Sequence, residues 1–145
     1  FALDRVRQVA TVLSKLGSKR ALIVHGDDGL DEVSIASPTR CALWDGSLID
    51  DVTITPEGVG IERRPLTAVA GGDASTNAAM IRAALTASNE AAFDIVRLNA
   101  GAALWTANAA ADLQDSVALA TETIRSGQAT KKLDDLIALT QDLAS

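Results

Sequence analysis

The 145-residue sequence has few of the side chains that do most covalent and metal chemistry, with one cysteine, one histidine and no tyrosine. The single Cys41 excludes an internal disulfide and favours a reducing compartment, and we assign it no catalytic role. The one histidine, His25, has no partner next to it in the sequence, and neither a nucleophile elbow nor a zinc-ligand cluster is present. The sequence therefore gives no support for a disulfide scaffold, a zinc site or an elbow-type hydrolase.

Long apolar runs and concentrated basic charge are also lacking. Every apolar stretch is interrupted by charge before it could span a bilayer. The formal net charge is −6, with 13 basic residues scattered along the chain, so the surface would repel a phosphate backbone. We therefore expect a soluble, cytoplasmic protein that binds neither nucleic acid nor membranes.

The composition is that of a globular domain, with 48% hydrophobic residues in a chain long enough to bury a core. The short apolar run at residues 20–24 predicts a buried strand of a parallel sheet. The dipeptide Asp45-Gly46 predicts a tight turn between strands at residues 41–44 and 52–54. A small hairpin is thus expected next to the parallel strand.

Helical spacing dominates the remaining sequence. Residues 3–16 predict a helix that Gly17 ends, and because this helix starts without a cap we expect the chain to be a fragment. Asp73 is expected to cap the first helix of the second half, which argues against a phosphate cradle at the two preceding glycines. Further helices are predicted at residues 91–108, 113–126 and 132–143.

Two glycines and four carboxylates follow the first strand, within residues 26–32. Mg²⁺ prefers hard oxygen ligands, accepts one or two protein carboxylates and keeps its other positions for water and phosphate oxygens. Asp31 and Glu32 would point to opposite faces of a regular strand, so sharing one ion requires an irregular loop, which the glycines permit. The spacing does not fit an EF-hand. A solvated acidic turn is the alternative, and His25 is either a phosphate contact or a structural residue.

Several stretches, taken in order, resemble the C-terminal part of anthranilate phosphoribosyltransferases, and together they cover nearly the whole chain. The most specific is the motif Gly29-Leu30-Asp31-Glu32. The resembling stretches are residues 16–26, 29–34, 56–60, 71–74, 77–78, 98–100 and 124–129. The resemblance implies an α/β fold: the C-terminal portion of a nucleoside phosphorylase/phosphoribosyltransferase-like domain, with parallel strands flanked by helices and without the N-terminal helical domain.

The same resemblance implies transfer of the phosphoribosyl group from 5-phosphoribosyl 1-diphosphate (PRPP) to anthranilate in tryptophan biosynthesis. It assigns Mg²⁺ binding to Asp31 and Glu32, with Asp27 and Asp28 as supporting residues at most. It places the PRPP loop and the anthranilate contacts in an upstream segment that is not among these residues, and it implies a homodimer for the complete enzyme. We therefore expect residues 1–145 to form a partial domain, either a fragment or one half of a nicked enzyme, that is inactive alone.

Two other functions remain open at this point. Pyrimidine nucleoside phosphorylases share the same overall architecture, although the acidic pair favours the transferase. A non-catalytic paralogue could keep the fold as a nucleic-acid-binding or scaffolding module, although the acidic charge balance argues against nucleic acid.

Overall fold

A three-stranded sheet lies at the centre of the structure, a computed structural model that describes residues 2–144. Its strands are β1 (Ala21–Gly26), β2 (Thr39–Trp44) and β3 (Ile49–Ile54), in the order β1-β2-β3. Both neighbouring pairs are antiparallel. The predicted hairpin is confirmed, because β2 and β3 are joined by the turn at Asp45, whose carboxylate accepts hydrogen bonds from the amides of residues 47 and 48.

The α/β class is confirmed, but the prediction of parallel strands is wrong for the strands of residues 2–144. Parallel neighbours need a crossover, usually a helix, that returns the chain to the opposite end of the sheet. Residues 27–38 contain no helix and lead directly from the end of β1 into β2. The error has a physical cause: β1 is covered on both faces, which gives an antiparallel strand the continuous apolar sequence that is typical of parallel ones.

Within the described range there are five α-helices, and all five were predicted. The first ends next to Gly17, whose φ of +87° lies in the left-handed region. The last begins after Gly127, a few residues earlier than the sequence predicted. The helices are α1 (Val6–Lys15), α2 (Ala74–Leu85), α3 (Glu90–Thr106), α4 (Leu113–Arg125) and α5 (Gln128–Ala144). None of these helices is long and apolar enough to cross a membrane.

The sheet separates two hydrophobic clusters. On one face, Val6 and Ala10 of α1 pack against Ala21, Ile23 and Ala42. The larger cluster lies on the other face and joins the sheet to α3, α4 and the segment after β1. Its buried members include Val33, Ile35, Cys41, Leu98 and Val117. The segment after β1 is therefore held between the sheet and α3.

Cys41 is 3% exposed within this larger cluster. Burial disfavours the thiolate and raises the pKa of Cys41 to about 12. We expect iodoacetamide at pH 8 to leave the native protein unmodified and to add one label after unfolding in urea, because the thiolate is the reactive form. Intact-mass spectrometry measures both states, and labelling of the native chain at the rate of a free thiol would contradict this burial.

Asp73 caps α2 as predicted, accepting hydrogen bonds from the Thr76 amide and the Ser75 hydroxyl, each at 2.8 Å. These bonds, led by the Thr76 amide, lower the pKa of Asp73 from 3.8 to about 2. A lowered folded-state pKa gives stabilisation that is complete above the ordinary pKa and is lost as the pH falls through the folded-state value. We expect wild type to lose stability relative to Asp73→Asn between pH 4 and pH 2, because asparagine caps without titrating. Urea unfolding across this range measures the difference, and a constant difference would contradict the prediction.

Candidate metal-binding site

The acidic loop, residues 27–38, folds back on itself directly after β1. The Gly26 amide donates to the Leu30 carbonyl at 2.9 Å, and the Gly29 amide donates to the Gly26 carbonyl at 2.8 Å. Gly29 has a φ of +90°, a conformation that glycine adopts without steric cost. The irregular loop that the sequence predicted for this stretch is therefore confirmed.

Asp28 closes this loop through its side chain. One carboxylate oxygen accepts from the Ser34 hydroxyl at 2.6 Å, and the other accepts from the Leu30 amide at 3.1 Å. Burial by itself would raise the pKa of Asp28, but the hydrogen bonds, led by that from Ser34, outweigh it and lower the pKa. Asp28 therefore acts as a structural anion that ties residue 28 to residue 34, with the acidic pair between them.

A second anchor connects the loop to α3. The Val33 amide donates to the side-chain oxygen of Asn99 at 2.8 Å, and the Asn99 side-chain nitrogen donates back to the Val33 carbonyl at 2.9 Å. The same nitrogen also donates to the Ile95 carbonyl at 3.0 Å, which fixes the orientation of the amide. The residue next to Glu32 is thereby held on the surface of α3.

Asp31 and Glu32 are the carboxylates of the loop that have no hydrogen-bond or ion-pair partner within residues 2–144. Both are exposed. Burial of its carboxyl group, followed by the negative charge of Asp31, raises the pKa of Glu32. Asp31 and Glu32 are neighbouring carboxylates on an anchored loop, and they repel each other. A bound cation would reduce this repulsion.

The acidic pair faces open space. With Leu22 and Val24 of β1 and Asn99 of α3, it lines a cleft of about 370 Å³. Glu32 also borders a larger, mainly apolar cleft of about 580 Å³ between α2, α3 and the short 3-10 helix at Leu66–Val69. The carboxylates are therefore accessible to an ion and to a small molecule bound beside it.

Two other polar residues near the strand end do not join the pair. Asp27 forms an ion pair with Arg40 at 3.1 Å. His25 lies opposite Arg40 in the sheet register, on the strand face that carries Ile23, whereas Val24 on the other face lines the cleft. The His25 Nδ1 atom is buried without a partner among the described residues. The structure thus gives no support for a phosphate contact by His25.

The pair does not form a complete protein cage for a metal. No group of three or more His, Cys, Asp or Glu side chains comes close enough to hold one within residues 2–144. Mg²⁺ is commonly held by one or two carboxylates together with waters and substrate phosphate oxygens. Two unpartnered carboxylates beside an open cleft fit this mode of binding.

The two glycines before α2 do not form an anion site. The Gly72 amide donates to the side-chain oxygen of Asn77 at 2.8 Å, and the Asn77 side chain donates to the Gly72 carbonyl at 3.0 Å. Asp73 occupies the helix cap beside them. The capping interpretation made from the sequence is confirmed.

Sequence reasoning did not assign Ser34 or Asn99 a role, although both fall in the stretches that carry the resemblance. Asn99 lies 66 residues from the backbone group that it holds, in a helix whose local pattern indicates only an amphipathic face. The one local indication for Asn99 was that it is the only polar residue among the small and apolar residues at 98–104.

Comparisons with known proteins identify the family to which this sequence is similar. Residues 1–130 match the family described as glycosyl transferase family, a/b domain. An anthranilate phosphoribosyltransferase from Moorella thermoacetica is 45% identical over 142 residues, which are 98% of this chain and 42% of that protein. The crystal structure of the enzyme of that name from Thermus thermophilus has a TM-score of 0.86 at 35% identity, over 95% of this chain and 40% of that one. The Saccharomyces cerevisiae enzyme, solved in complex with PRPP and Mg, shares the fold with a TM-score of 0.83 at 21% identity, over 92% of this chain and 39% of that one.

Proposed function

This chain belongs to the glycosyl transferase family, α/β domain, and we propose that it supplies the metal-binding part of an anthranilate phosphoribosyltransferase. Curated relatives of that name from Moorella thermoacetica and Halorhodospira halophila match it over 98% and 99% of its length. The chain spans 42% of the length of each of these relatives. The observation that carries the proposal is the unpartnered Asp31–Glu32 pair on an anchored loop beside an open cleft.

In the proposed reaction, the bond between ribose C1 and the diphosphate oxygen breaks and a bond from C1 to the anthranilate nitrogen forms. The amine releases a proton to solvent, and diphosphate leaves with the electron pair of the broken bond. The sugar gains oxocarbenium character in the transition state, so negative charge grows on the leaving group. Stabilisation of that charge is the main electrostatic task of such a site.

Mg²⁺ is the cofactor we propose, and the donor set of this chain fits it. Asp31 and Glu32 offer hard carboxylate oxygens that no other described side chain engages, and the raised pKa of Glu32 reflects partial burial and repulsion that a cation would offset. Asp31 and Glu32 would hold the ion, which would supply positive charge to offset the negative charge of the departing diphosphate. The yeast enzyme of this fold was solved with PRPP and Mg together, which supports the proposal.

The residues that anchor Asp31 and Glu32 hold the loop in place, and we assign them no contact with substrate. Asp28 and Ser34 close the loop, and Asn99 holds Val33 on α3. We assign the PRPP loop and the anthranilate contacts to the part of the relatives that this chain does not span. We further propose that the complete enzyme is a cytoplasmic homodimer and that the isolated chain is inactive.

The test is the loss of anthranilate fluorescence after addition of PRPP and Mg²⁺ to the chain, with the remaining segment of the Moorella thermoacetica enzyme supplied as a fused or separate polypeptide. We expect turnover that requires both polypeptide parts and disappears with EDTA. A folded, complete assembly without turnover would overturn the proposal. Phosphorolysis of thymidine or uridine by that assembly would indicate a nucleoside phosphorylase, and salt-dependent retention on DNA would indicate a nucleic-acid-binding module.

A further inference from the structure

We propose that Asn99 is a positioning residue for the acidic pair: its two-bond clamp on Val33 keeps Asp31 and Glu32 close enough to share one divalent cation. The inference rests on the metal role assigned above to the pair. It concerns a residue of α3 that does not itself hold the ion.

The clamp acts on the backbone directly after the second carboxylate. Both polar groups of Val33 are engaged by one side chain, at 2.8 and 2.9 Å. The Val33 N–H is part of the peptide bond between Glu32 and Val33. The clamp therefore fixes the orientation of this planar peptide group, to which the Glu32 Cα is attached. Val33 itself is 1% exposed, which prevents the segment from turning about this point.

The Asp28–Ser34 bond fixes the loop in a different way. It joins two residues of the same loop, so it limits the span between them but does not attach the loop to another element. The Asn99 clamp attaches the loop to α3, and Asn99 and the acidic pair line the same cleft. Without the clamp, the backbone at Glu32 can rotate, and the repulsion between the two carboxylates would then move them apart.

The chemistry of the amide suits this task. Asparagine supplies both a donor and an acceptor, as the Val33 peptide groups require. It adds no charge beside the carboxylates, whereas an aspartate would lose the donor and add a third negative group. Partners that orient a metal ligand from outside the coordination sphere typically change metal affinity by 10- to 100-fold when they are removed.

The experiment titrates Mn²⁺ into the 145-residue chain and measures binding by water-proton relaxation. Asn99→Leu is compared with Asn77→Leu, a matched control, because Asn77 makes the same two-bond clamp on the Gly72 backbone, at 2.8 and 3.0 Å. Urea unfolding confirms that each variant is folded, and Asn99→Ala replaces Asn99→Leu if the leucine variant is not. Hydrogen exchange of the Val33 amide reports directly on the clamp.

We expect Asn99→Leu to weaken Mn²⁺ binding about tenfold, with faster exchange at Val33, while Asn77→Leu binds as wild type does. Equal affinity in wild type and Asn99→Leu would overturn the positioning role alone. Equal weakening in Asn77→Leu would also overturn it, because it would show general loosening. If wild type and an Asp31→Asn/Glu32→Gln variant bind Mn²⁺ equally, the metal assignment itself has failed and the inference falls with it.

Discussion

Asp31→Asn combined with Glu32→Gln is expected to lower the metal-dependent turnover of the complete enzyme by about a hundredfold, with little change in anthranilate binding. The amides keep the size of the side chains and remove the charge. Metal stabilisation of a leaving group is worth several kcal/mol, and each 1.36 kcal/mol is a factor of ten in rate. Turnover at a series of Mg²⁺ concentrations and anthranilate binding by fluorescence measure the two quantities separately.

The chain contains its own control for this experiment. Asp50 and Asp51 are also adjacent and exposed, but they lie on the regular strand β3, where successive side chains point to opposite faces. Asp51 forms an ion pair with Arg7 on the α1 side of the sheet. Asp50→Asn with Asp51→Asn should leave turnover unchanged. An unchanged magnesium requirement in the Asp31/Glu32 variant would refute the assignment of the metal site.

The contrast between these two acidic pairs shows what the sequence could and could not predict about the site. The glycines of residues 26–29 indicated an irregular loop, and with it the possibility that neighbouring carboxylates converge. The local residue pattern did not separate Asp28 from Asp31, since both are aspartates in the same acidic run, and only the family resemblance distinguished them. The fold separates them, because Ser34 reaches Asp28 and leaves Asp31 without a partner.

Local signals predicted the helices well. Asp73, the predicted cap, accepts from the backbone amide three residues later. Asn89 and Asp112 cap α3 and α4 in the same way, although neither was singled out as a cap from the sequence, and such side chains are favoured at this position. Strand direction is not a local property. It depends on whether the connection between two strands crosses over, and the apolar pattern of β1 reported only that the strand is covered on both faces.

Helix α3 connects the site to the rest of the domain. Asp94 accepts hydrogen bonds from Arg64 at 3.0 Å and Arg97 at 2.9 Å, which ties the helix to the segment after β3. Asn99 holds the acidic loop, and Gly101 meets α4. Apart from the Asp94–Arg97 pair, which is local to the helix, these contacts join residues too far apart in the sequence for any local pattern to reveal them. The position of α3 should therefore control both stability and the geometry of the loop.

Gly101→Ala is expected to destabilise the protein by about 2 kcal/mol, the range for overpacking a closely packed core. In an exposed helix the same change would stabilise by about 1 kcal/mol, because glycine is a poor helix former. Here an added Cβ would clash with the Val117 side chain and would lie 2.8 Å from the Val117 Cα and 2.9 Å from its amide nitrogen. Since two of these atoms are backbone, α3 and α4 must move apart. Urea unfolding measures the change.

Ala103→Gly is the matched control, at an exposed position of the same helix, and should lose about 1 kcal/mol through helix propensity alone. Adding Val117→Ala to Gly101→Ala should recover only part of the loss, because the clashes with the Val117 backbone remain. Full recovery would place the strain in the side chain, and a stabilising Gly101→Ala would show that the two helices pack less closely than the structure has them. Because Asn99 lies two residues before Gly101, a displaced α3 should also weaken Mn²⁺ binding in Gly101→Ala.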